Sequence, residues 1–510
     1  MKNKSNKMSL IERIGKRIPD PVVIFASFSI ITLITTLFMG GTTFEVLGGD
    51  GQTIVHEIKN MLEPENVRWI VDNALLTNWL AYGGGVLGTI LIVMLGVGLA
   101  DESGLLTTLI KKIGLKVSDK YLPIVLVFLG IMSSIATDAG YIILVPLAGL
   151  LYLGLKKNPL IGMAAAFAGV SAGFSANLLP GTPIDVIIGE NAKMFAESQG
   201  IPFVSAAGKA LTPATMHYFF IVVSTFVLAI VGALVTSKII KPRLEKEDFV
   251  IPEDMNLDEF TVKPEENKAL RFSGLGLVLG ILAMLALYFG PLKPFEVEGE
   301  LINPMLDNII LVITFLFFMP GLFYGIKIGS YRKSADVVKA MAKQMSSMGY
   351  VLVLTFFSYN FLALLSYSGL GTYVTFLGAE GLKSLGLSEY PILLLIGFIL
   401  TTAVINLFVG GLTSKWMLLG PIFVPMLFQV NNQMTPDMVA AAFRVADSST
   451  NIITPLMSYA GVILVFMRKY KPEYTIADMI RLMFPYSAAF LVVWTALLVA
   501  FFTLGIPLGF

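Results

Sequence analysis

The sequence contains no cysteine. Disulfides, thiolate metal sites and cysteine nucleophiles are therefore excluded. Histidine occurs only as His56 and His217, so no His-Glu-x-x-His metal motif can form and little imidazole base chemistry remains. Charge is also scarce. Asp, Glu, Lys and Arg make up 14% of the 510 residues, against roughly 25% in a soluble domain. So few ionic groups cannot cover the soluble surface of a chain this long. Lys and Arg number 36 against 35 Asp and Glu, a net charge of +1, which leaves no basic footprint for nucleic acid. What the chain has in abundance is apolar: 55% hydrophobic residues and a mean hydropathy of +0.78. It reads as an all-α polytopic membrane protein with the lipid bilayer as its solvent.

A crossing needs about 20 apolar residues. Seven stretches qualify: Pro21–Gly40, Ala81–Ala100, Thr215–Val235, Phe272–Phe289, Asn308–Tyr324, Gly349–Tyr367 and Met483–Thr503. The first is too long in its core for a signal peptide, and no small-residue cleavage site follows it. Basic residues in short loops mark the cytoplasm. Lys2, Lys4, Lys7, Arg13, Lys16 and Arg17 place the N-terminus inside. Glu45, Asp50, Glu57, Glu63, Glu65 and Asp72 place the next loop outside, and Glu296, Glu298 and Glu300 do the same later. Lys-rich loops around 111–120, 238–246, 327–343 and 468–481 lie inside, and uncharged Gly505–Phe510 ends outside. The outer loop Thr42–Asn78, with Trp69 and Trp79, holds either an interfacial helix or a simple aromatic anchor at headgroup level.

Two stretches fit no simple crossing. Tyr121–Leu155 is apolar, has a polar middle at Ser133–Gly140, and is basic at both ends. Two arms of about 12–14 residues at 1.5 Å each reach roughly 20 Å, which describes a re-entrant hairpin entering from the cytoplasm. Tyr390–Gln429, with its tip at Asn406–Lys415, reads the same way but enters from outside. Each hairpin is followed by an interrupted span. Pro159–Glu190 is broken at Ser175–Pro183, and Asp437–Met467 is broken at Asp447–Pro455. The total is about nine transmembrane helices plus two oppositely oriented re-entrant hairpins.

The broken spans align. Ala164-Ala-Ala-Phe167 precedes one break and Ala440-Ala-Ala-Phe443 the other, while Asn177 and Pro180 answer Asn451 and Pro455. Inverted repeats with discontinuous helices at matching positions point to a secondary transporter. Residues 1–236 form the first half, 237–271 a charged cytoplasmic linker and 272–510 the second half, with hairpins 121–155 and 390–429 and broken helices 159–190 and 437–467.

Ionisable groups at membrane depth are costly and by default mark a site. The apolar stretches hold Asp138, Asp185, Lys415, Arg444 and Asp447. Arg444 and Asp447 are three apart and share a helix face. Either they neutralise each other as an ion pair, or Asp447 binds the coupling cation or its proton while Arg444 grips a substrate carboxylate bidentately. Both can hold in turn. Asn406, Ser414 and Trp416 surround the second tip, where Gly410-Gly411 lets the backbone turn sharply. Trp416 either stacks on an aromatic substrate or wedges against the scaffold. Lys415 either snorkels to water or meets substrate. Asp138 caps the second arm of the first hairpin or serves the ion. Asp185 is a cap, a vestibule charge or part of the ion site. Asn177, Thr182, Thr450, Asn451 and Thr454 supply neutral oxygens suited to Na⁺, although no spacing separates Na⁺ from H⁺. His217 reads as a solvated interfacial histidine and His56 as a loop residue.

Ser133-Ser-Ile-Ala-Thr-Asp-Ala-Gly-Tyr141, Gly169-Val-Ser-Ala-Gly-Phe-Ser-Ala-Asn-Leu178, Lys415-Trp416 with Pro421-Ile-Phe-Val-Pro-Met426, and Arg444-Val-Ala-Asp-Ser-Ser-Thr-Asn-Ile-Ile-Thr-Pro455 with Leu-Met-Ser-Tyr459 together resemble the AbgT family of p-aminobenzoyl-glutamate transporters. The resemblance covers nearly the whole chain. It implies an inverted-repeat carrier that forms a homodimer, takes a folate catabolite and is not an enzyme. It places functional positions at Asp185, Asn406, Ser414, Trp416, Pro436, Arg444, Asp447 and Pro455. The expected function is ion-coupled secondary transport of p-aminobenzoyl-glutamate across the cytoplasmic membrane, by symport or antiport, with Na⁺ or H⁺ as the coupling ion and no other cofactor. The nearest rivals are a proton-driven exporter of sulfonamide-type antimetabolites and a dicarboxylate carrier of similar architecture. A channel is the rival from another class, and a membrane-embedded hydrolase lacks a nucleophile–base pair.

Overall fold

The computed structural model describes residues 19–47, 53–81, 86–114, 120–135, 140–251, 262–297, 300–454, 457 and 459–510. Asp138 and Pro455 lie outside the described residues, as do the basic N-terminal tail, Asp50, Lys116 and Glu298.

Helix α1 (Pro21–Met39) starts where Asp20 caps Val22 N–H at 2.8 Å. The outer loop then forms an antiparallel hairpin, β1 (Thr43–Leu47) with β2 (Thr53–Glu57), and the expected short helix, α2 (Pro64–Asn73). Trp69 is more than a headgroup anchor, because it stacks on Tyr367 at 3.8 Å. Next come α3 (Val86–Glu102) and α4 (Leu105–Gly114), then the arms α5 (Leu122–Met132) and α6 (Val145–Gly154). Helix α7 (Pro159–Phe167) ends in a π-turn to Ala172, and α8 (Pro183–Glu197) resumes after an irregular stretch, 173–182. Helix α9 (Tyr218–Val235) closes the first half.

The second half opens with α10 (Pro264–Phe289) and a small hairpin of β3 (Phe295–Val297) and β4 (Glu300–Ile302). There follow α11 (Ile309–Ile328), α12 (Ser334–Ser347), α13 (Gly349–Tyr367) and α14 (Leu370–Ser384). The second pair of arms is α15 (Pro391–Asn406) and α16 (Leu412–Val430). The second broken span is α17 (Pro436–Asn451) with α18 (Ala460–Arg468), and α19 (Ile476–Leu504) ends the chain. All seven expected spans are helices. Helices α12 and α14, of 14 and 15 residues, are too short and too polar to stand out as apolar runs in the sequence.

The layers reverse the usual order of a soluble protein. The 18-residue apolar windows of α1 and α10 are each only 17% buried, as befits helices that can face lipid. The broken helices form the core: every residue of α7 is buried, and so is every residue of α17 from Pro436 to Thr450. Helix α7 lies against both arms of the first pair at backbone distance. A Cβ on Gly162 would come within 2.1 Å of the Ala148 carbonyl oxygen, and one on Gly169 within 2.2 Å of Val127 oxygen. Small residues permit this close packing between membrane helices.

Both arm pairs fold back on themselves. At the first tip, a Cβ on Gly140 would collide with Ser133 Oγ. In the second, Phe398 and Phe423 face each other across the arms at 4.9 Å, and Asn431 Nδ2 donates to Ser388 oxygen at 2.8 Å, tying the ends together. The second arms have 16 and 19 residues, about 24 and 28 Å long at 1.5 Å per residue, longer than the first. The second break also sits later than the sequence suggests. Helix α17 runs through Asp447-Ser-Ser-Thr-Asn451, and the irregular stretch begins at Ile452. Ser and Thr only weakly disfavour a helix, whereas a proline at position 455 has no N–H to donate to the Asn451 carbonyl four residues earlier. The stop is therefore set by the proline.

Gly169→Ala is expected to lower the melting temperature of the purified protein, because overpacking of this kind costs about 1–3 kcal/mol. Gly397→Ala, in α15 with nothing within 4 Å of the new Cβ, should leave it unchanged or higher. Equal shifts in a thermal melt would contradict the backbone contact.

Candidate functional site

Arg444 projects from the third turn of α17 and is 1% exposed. Its Nη2 donates to Asp185 Oδ1 at 2.6 Å and to the Ser175 carbonyl at 2.8 Å. Both acceptors belong to the first half: Asp185 to the first turn of α8, Ser175 to the break before it. Thr182 and Asp185 form a capping box at that helix start, where Asp185 Oδ2 accepts from Thr182 N at 2.9 Å and Oγ1 at 2.7 Å. Cap and charge partner are thus one residue, and the carboxylate is fully used. On its other side, Arg444 Nη1 lies 3.2 Å from His217 Nδ1, and His217 Nε2 lies 2.8 Å from the Asp437 carbonyl oxygen. A guanidinium only donates, so Nδ1 accepts and Nε2 carries the ring proton.

Asp447 lies one turn further along α17 and pairs with Lys415, not with Arg444. Lys415 is in the first turn of α16 and is 1% exposed. Its ammonium also meets Asn406 Oδ1. Asn406, the last residue of α15, donates from Nδ2 to the Asp447 carbonyl at 2.6 Å and to Thr450 Oγ1 at 2.7 Å. Among the described residues, Asp447 Oδ2 accepts no hydrogen bond and the Ser448 and Ser449 hydroxyls find no partner. Helix α17 therefore carries one cation and one anion that point to different neighbours. The i,i+3 ion pair expected as one reading of Arg444 and Asp447 is absent, because each finds a geometrically better partner across a helix interface. Lys415 does not snorkel, because its charge is satisfied inside.

Each hairpin tip is tied to the break of its own half. Asn177 Nδ2 donates to Ser134 Oγ at 3.0 Å, and Thr454 Oγ1 donates to Leu407 oxygen at 3.3 Å. Asn451 instead reaches across to Ser171 Oγ at 3.2 Å. Trp416 is fully buried between Phe195 and Phe443, at ring distances of 5.6 and 4.7 Å, and its indole N–H donates to Ile188 oxygen at 3.1 Å. In this conformation Trp416 is the scaffold wedge and offers no face for stacking. Ser414 is buried in the first turn of α16, and Pro436 is the first helical residue of α17, after Thr435. Asp185, Asn406, Lys415, Arg444 and Asp447 are brought together; Asn177 and Asn451 lie at the breaks.

Two functional candidates were not legible as such. His217 is 3% exposed, not solvated at an interface, because the end of the span that it begins is covered by α17. Asp437 is 4% exposed and stands in the first turn of a buried helix. The signal for it was present in the repeat: Thr435-Pro436-Asp437 opens α17 much as Thr182-Pro183-Ile-Asp185 opens α8.

The comparisons with known proteins agree with this architecture. The model of the AbgT putative transporter family matches residues 7–510. The p-aminobenzoyl-glutamate transport protein of Escherichia coli (strain K12) is 30% identical over 503 residues, covering 98% of this chain and 95% of that protein. The solved Alcanivorax borkumensis YdaH transporter, described as having an unusual topology, superposes with a TM-score of 0.86 at 33% identity, over 96% of this chain and 100% of that one. Neisseria gonorrhoeae MtrF, described as illuminating a class of antimetabolite efflux pumps, gives 0.83 at 34% identity, over 96% of both chains.

Removing one partner of a buried pair leaves an uncompensated charge, at a cost of about 3–5 kcal/mol. Lys415→Met alone should therefore destabilise the protein strongly in thermal melts, and adding Asp447→Asn should restore most of the loss. A double variant as unstable as the single one would mean that the pair is not what holds α16 to α17.

Proposed function

The chain belongs to the AbgT putative transporter family, is a multi-pass membrane transporter rather than an enzyme, and from that premise we propose that it carries p-aminobenzoyl-glutamate across the cytoplasmic membrane by ion-coupled alternating access. The observation that carries this reading is the buried Arg444–Asp185 pair at 2.6 Å. A guanidinium held by a carboxylate of the other half is a substrate-carboxylate site with a stand-in in place. When an anionic substrate takes Arg444, Asp185 is released, and the contact that ties α17 to α8 is lost. Binding and movement are then one event. The neutral amides of Asn406, Asn177 and Asn451, with Ser414, line the meeting of tips and breaks and suit the amide and amine of an aromatic amino-acid conjugate.

Asp447 is the first choice among the expected coupling residues. Its free Oδ2 and the unpartnered hydroxyls beside it are the acceptors a Na⁺ or a proton would use once Lys415 withdraws. The hairpins are re-entrant from opposite faces, the halves are inverted repeats, the N-terminus is cytoplasmic and the C-terminus outside, and the assembly is a homodimer. The second reading, export of sulfonamide-type antimetabolites, is favoured by the likeness to MtrF.

Proteoliposomes loaded with separately imposed Na⁺ or H⁺ gradients test both. Labelled p-aminobenzoyl-glutamate should accumulate under one gradient and exchange in counterflow. Saturable movement of a labelled sulfonamide alone would establish the exporter instead. Asp447→Asn should abolish accumulation. Arg444→Lys, which keeps charge but loses the bidentate fork, should weaken substrate binding about tenfold or more, the equivalent of ~1.4 kcal/mol. Unchanged affinity in that variant would remove Arg444 from the substrate site.

A further inference from the structure

Three carboxylates are buried on the broken helices. Asp185 has Arg444 and Asp447 has Lys415. Asp437 has neither: it is 4% exposed, and among the described residues none donates a hydrogen bond to its Oδ1 and no Lys or Arg forms an ion pair with it. The elements packed against α17 bring no other base to it. Helix α15 and the π-turn 168–172 contain no charged residue. Helix α16 offers Lys415, already held by Asp447. Helix α8 offers Asp185, Glu190, Lys193 and Glu197, of which Lys193 and Glu197 lie 3.9 Å apart. Helix α19 offers Asp478 and Arg481, 3.7 Å apart near its own start, and Tyr486, which hydrogen-bonds Thr236. The start of α9 offers His217, whose Nε2–H points to the Asp437 main-chain oxygen and not to the carboxyl group.

The charges of this cluster make the point by arithmetic. Arg444 and Lys415 supply two positive charges, and Asp185 and Asp447 supply two negative ones, so the paired groups sum to zero. An ionised Asp437 would leave one negative charge without a counter-ion in a buried core, a costly arrangement for a carboxylate. The first-turn amides of α17 favour the anion, while burial opposes it. A small change in hydration then decides the outcome, which is what a site that loads and unloads a proton needs.

We infer that Asp437 carries a proton in this buried arrangement and releases it to water when α17 moves, which makes Asp437, with His217 beside it, a proton site of the transport cycle. The inference rests on the carrier reading above and adds a proton site at the start of α17 to the coupling-ion site at Asp447. His217 couples that site to substrate. Its Nδ1 lone pair is occupied by Arg444. A substrate carboxylate that draws Arg444 away frees the lone pair. When α17 moves, the Asp437 O–H bond breaks and its proton goes to entering water; the freed Nδ1 can take a proton up from that water, so that the Asp437 carboxylate and a His217 imidazolium offset each other.

Infrared spectra of the full-length protein in lipid at neutral pH test this without transport. A carbonyl band of a protonated carboxylic acid that shifts in D2O should be present in wild type and in Asp447→Asn, and absent in Asp437→Asn. If wild type lacks the band, or the band survives in Asp437→Asn, the assignment is overturned, and the wild-type measurement decides even if the variant folds poorly. In proteoliposomes, Asp437→Asn should lose acceleration of p-aminobenzoyl-glutamate uptake by an imposed pH gradient, yet still gain thermal stability from that compound. His217→Gln should lose the link between the two, so that the compound no longer alters the acid band. Gradient-driven uptake by Asp437→Asn would refute the proposal. A wild type that neither binds nor exchanges p-aminobenzoyl-glutamate would instead refute the substrate reading and leave the infrared result to stand alone.

Discussion

A charge in a hydrocarbon core must carry its counter-charge with it, and α17 carries two charges that look in different directions. Arg444 binds the first half through Asp185 and the Ser175 carbonyl, whereas Asp447 binds the second hairpin through Lys415. Each isolated ion would cost several kcal/mol, so neither bond can simply open. It can only be exchanged for an equivalent one. That constraint is what the proposed function uses: an ion or an ionic solute is the partner that could take over from either bridge.

The surrounding architecture makes such an exchange possible. Interrupting two helices inside the core leaves peptide groups that a continuous helix would have consumed. Here they are met by side chains: Thr182 and Asp185 at the start of α8, Asn177 Oδ1 accepting from Leu179 N–H at the first break, Thr454 donating to the Leu407 carbonyl and Asn406 to the Asp447 carbonyl. Small residues keep α7 at backbone distance from its flanking arms, which leaves no side chain to jam between them. Trp416 closes the remaining gap by packing between Phe195 of α8 and Phe443 of α17. The result is a closely packed scaffold around a few buried polar contacts, which is what the proposed alternating-access reading requires.

Much of the candidate site was visible residue by residue. The repeated Ala-Ala-Ala-Phe followed by Asn and Pro located both broken helices, and the rarity of ions at membrane depth singled out Asp185, Lys415, Arg444 and Asp447. The pairing was not visible. Residues three apart on one helix are neighbours by geometry, so Arg444 and Asp447 invited each other, and nothing local revealed that Asp185, some 260 residues earlier (about a half-chain), competes successfully. His217 and Asp437 were missed for a related reason. Each lies at the end of a helix, where a linear reading expects water, and each is covered by an element distant in sequence.

The sequence by itself determined which stretches are apolar enough to span a membrane, which two helices are interrupted, and that the chain carries a small set of ions within apolar stretches, because hydrophobic length, proline chemistry and composition are local properties. The tertiary structure alone decided which cation holds which carboxylate, that Trp416 is a wedge, and that Asp437 is left without a counter-charge. Ion pairing in a low-dielectric core is settled by distance and direction across packed helices, and those come into being only when the two halves have assembled.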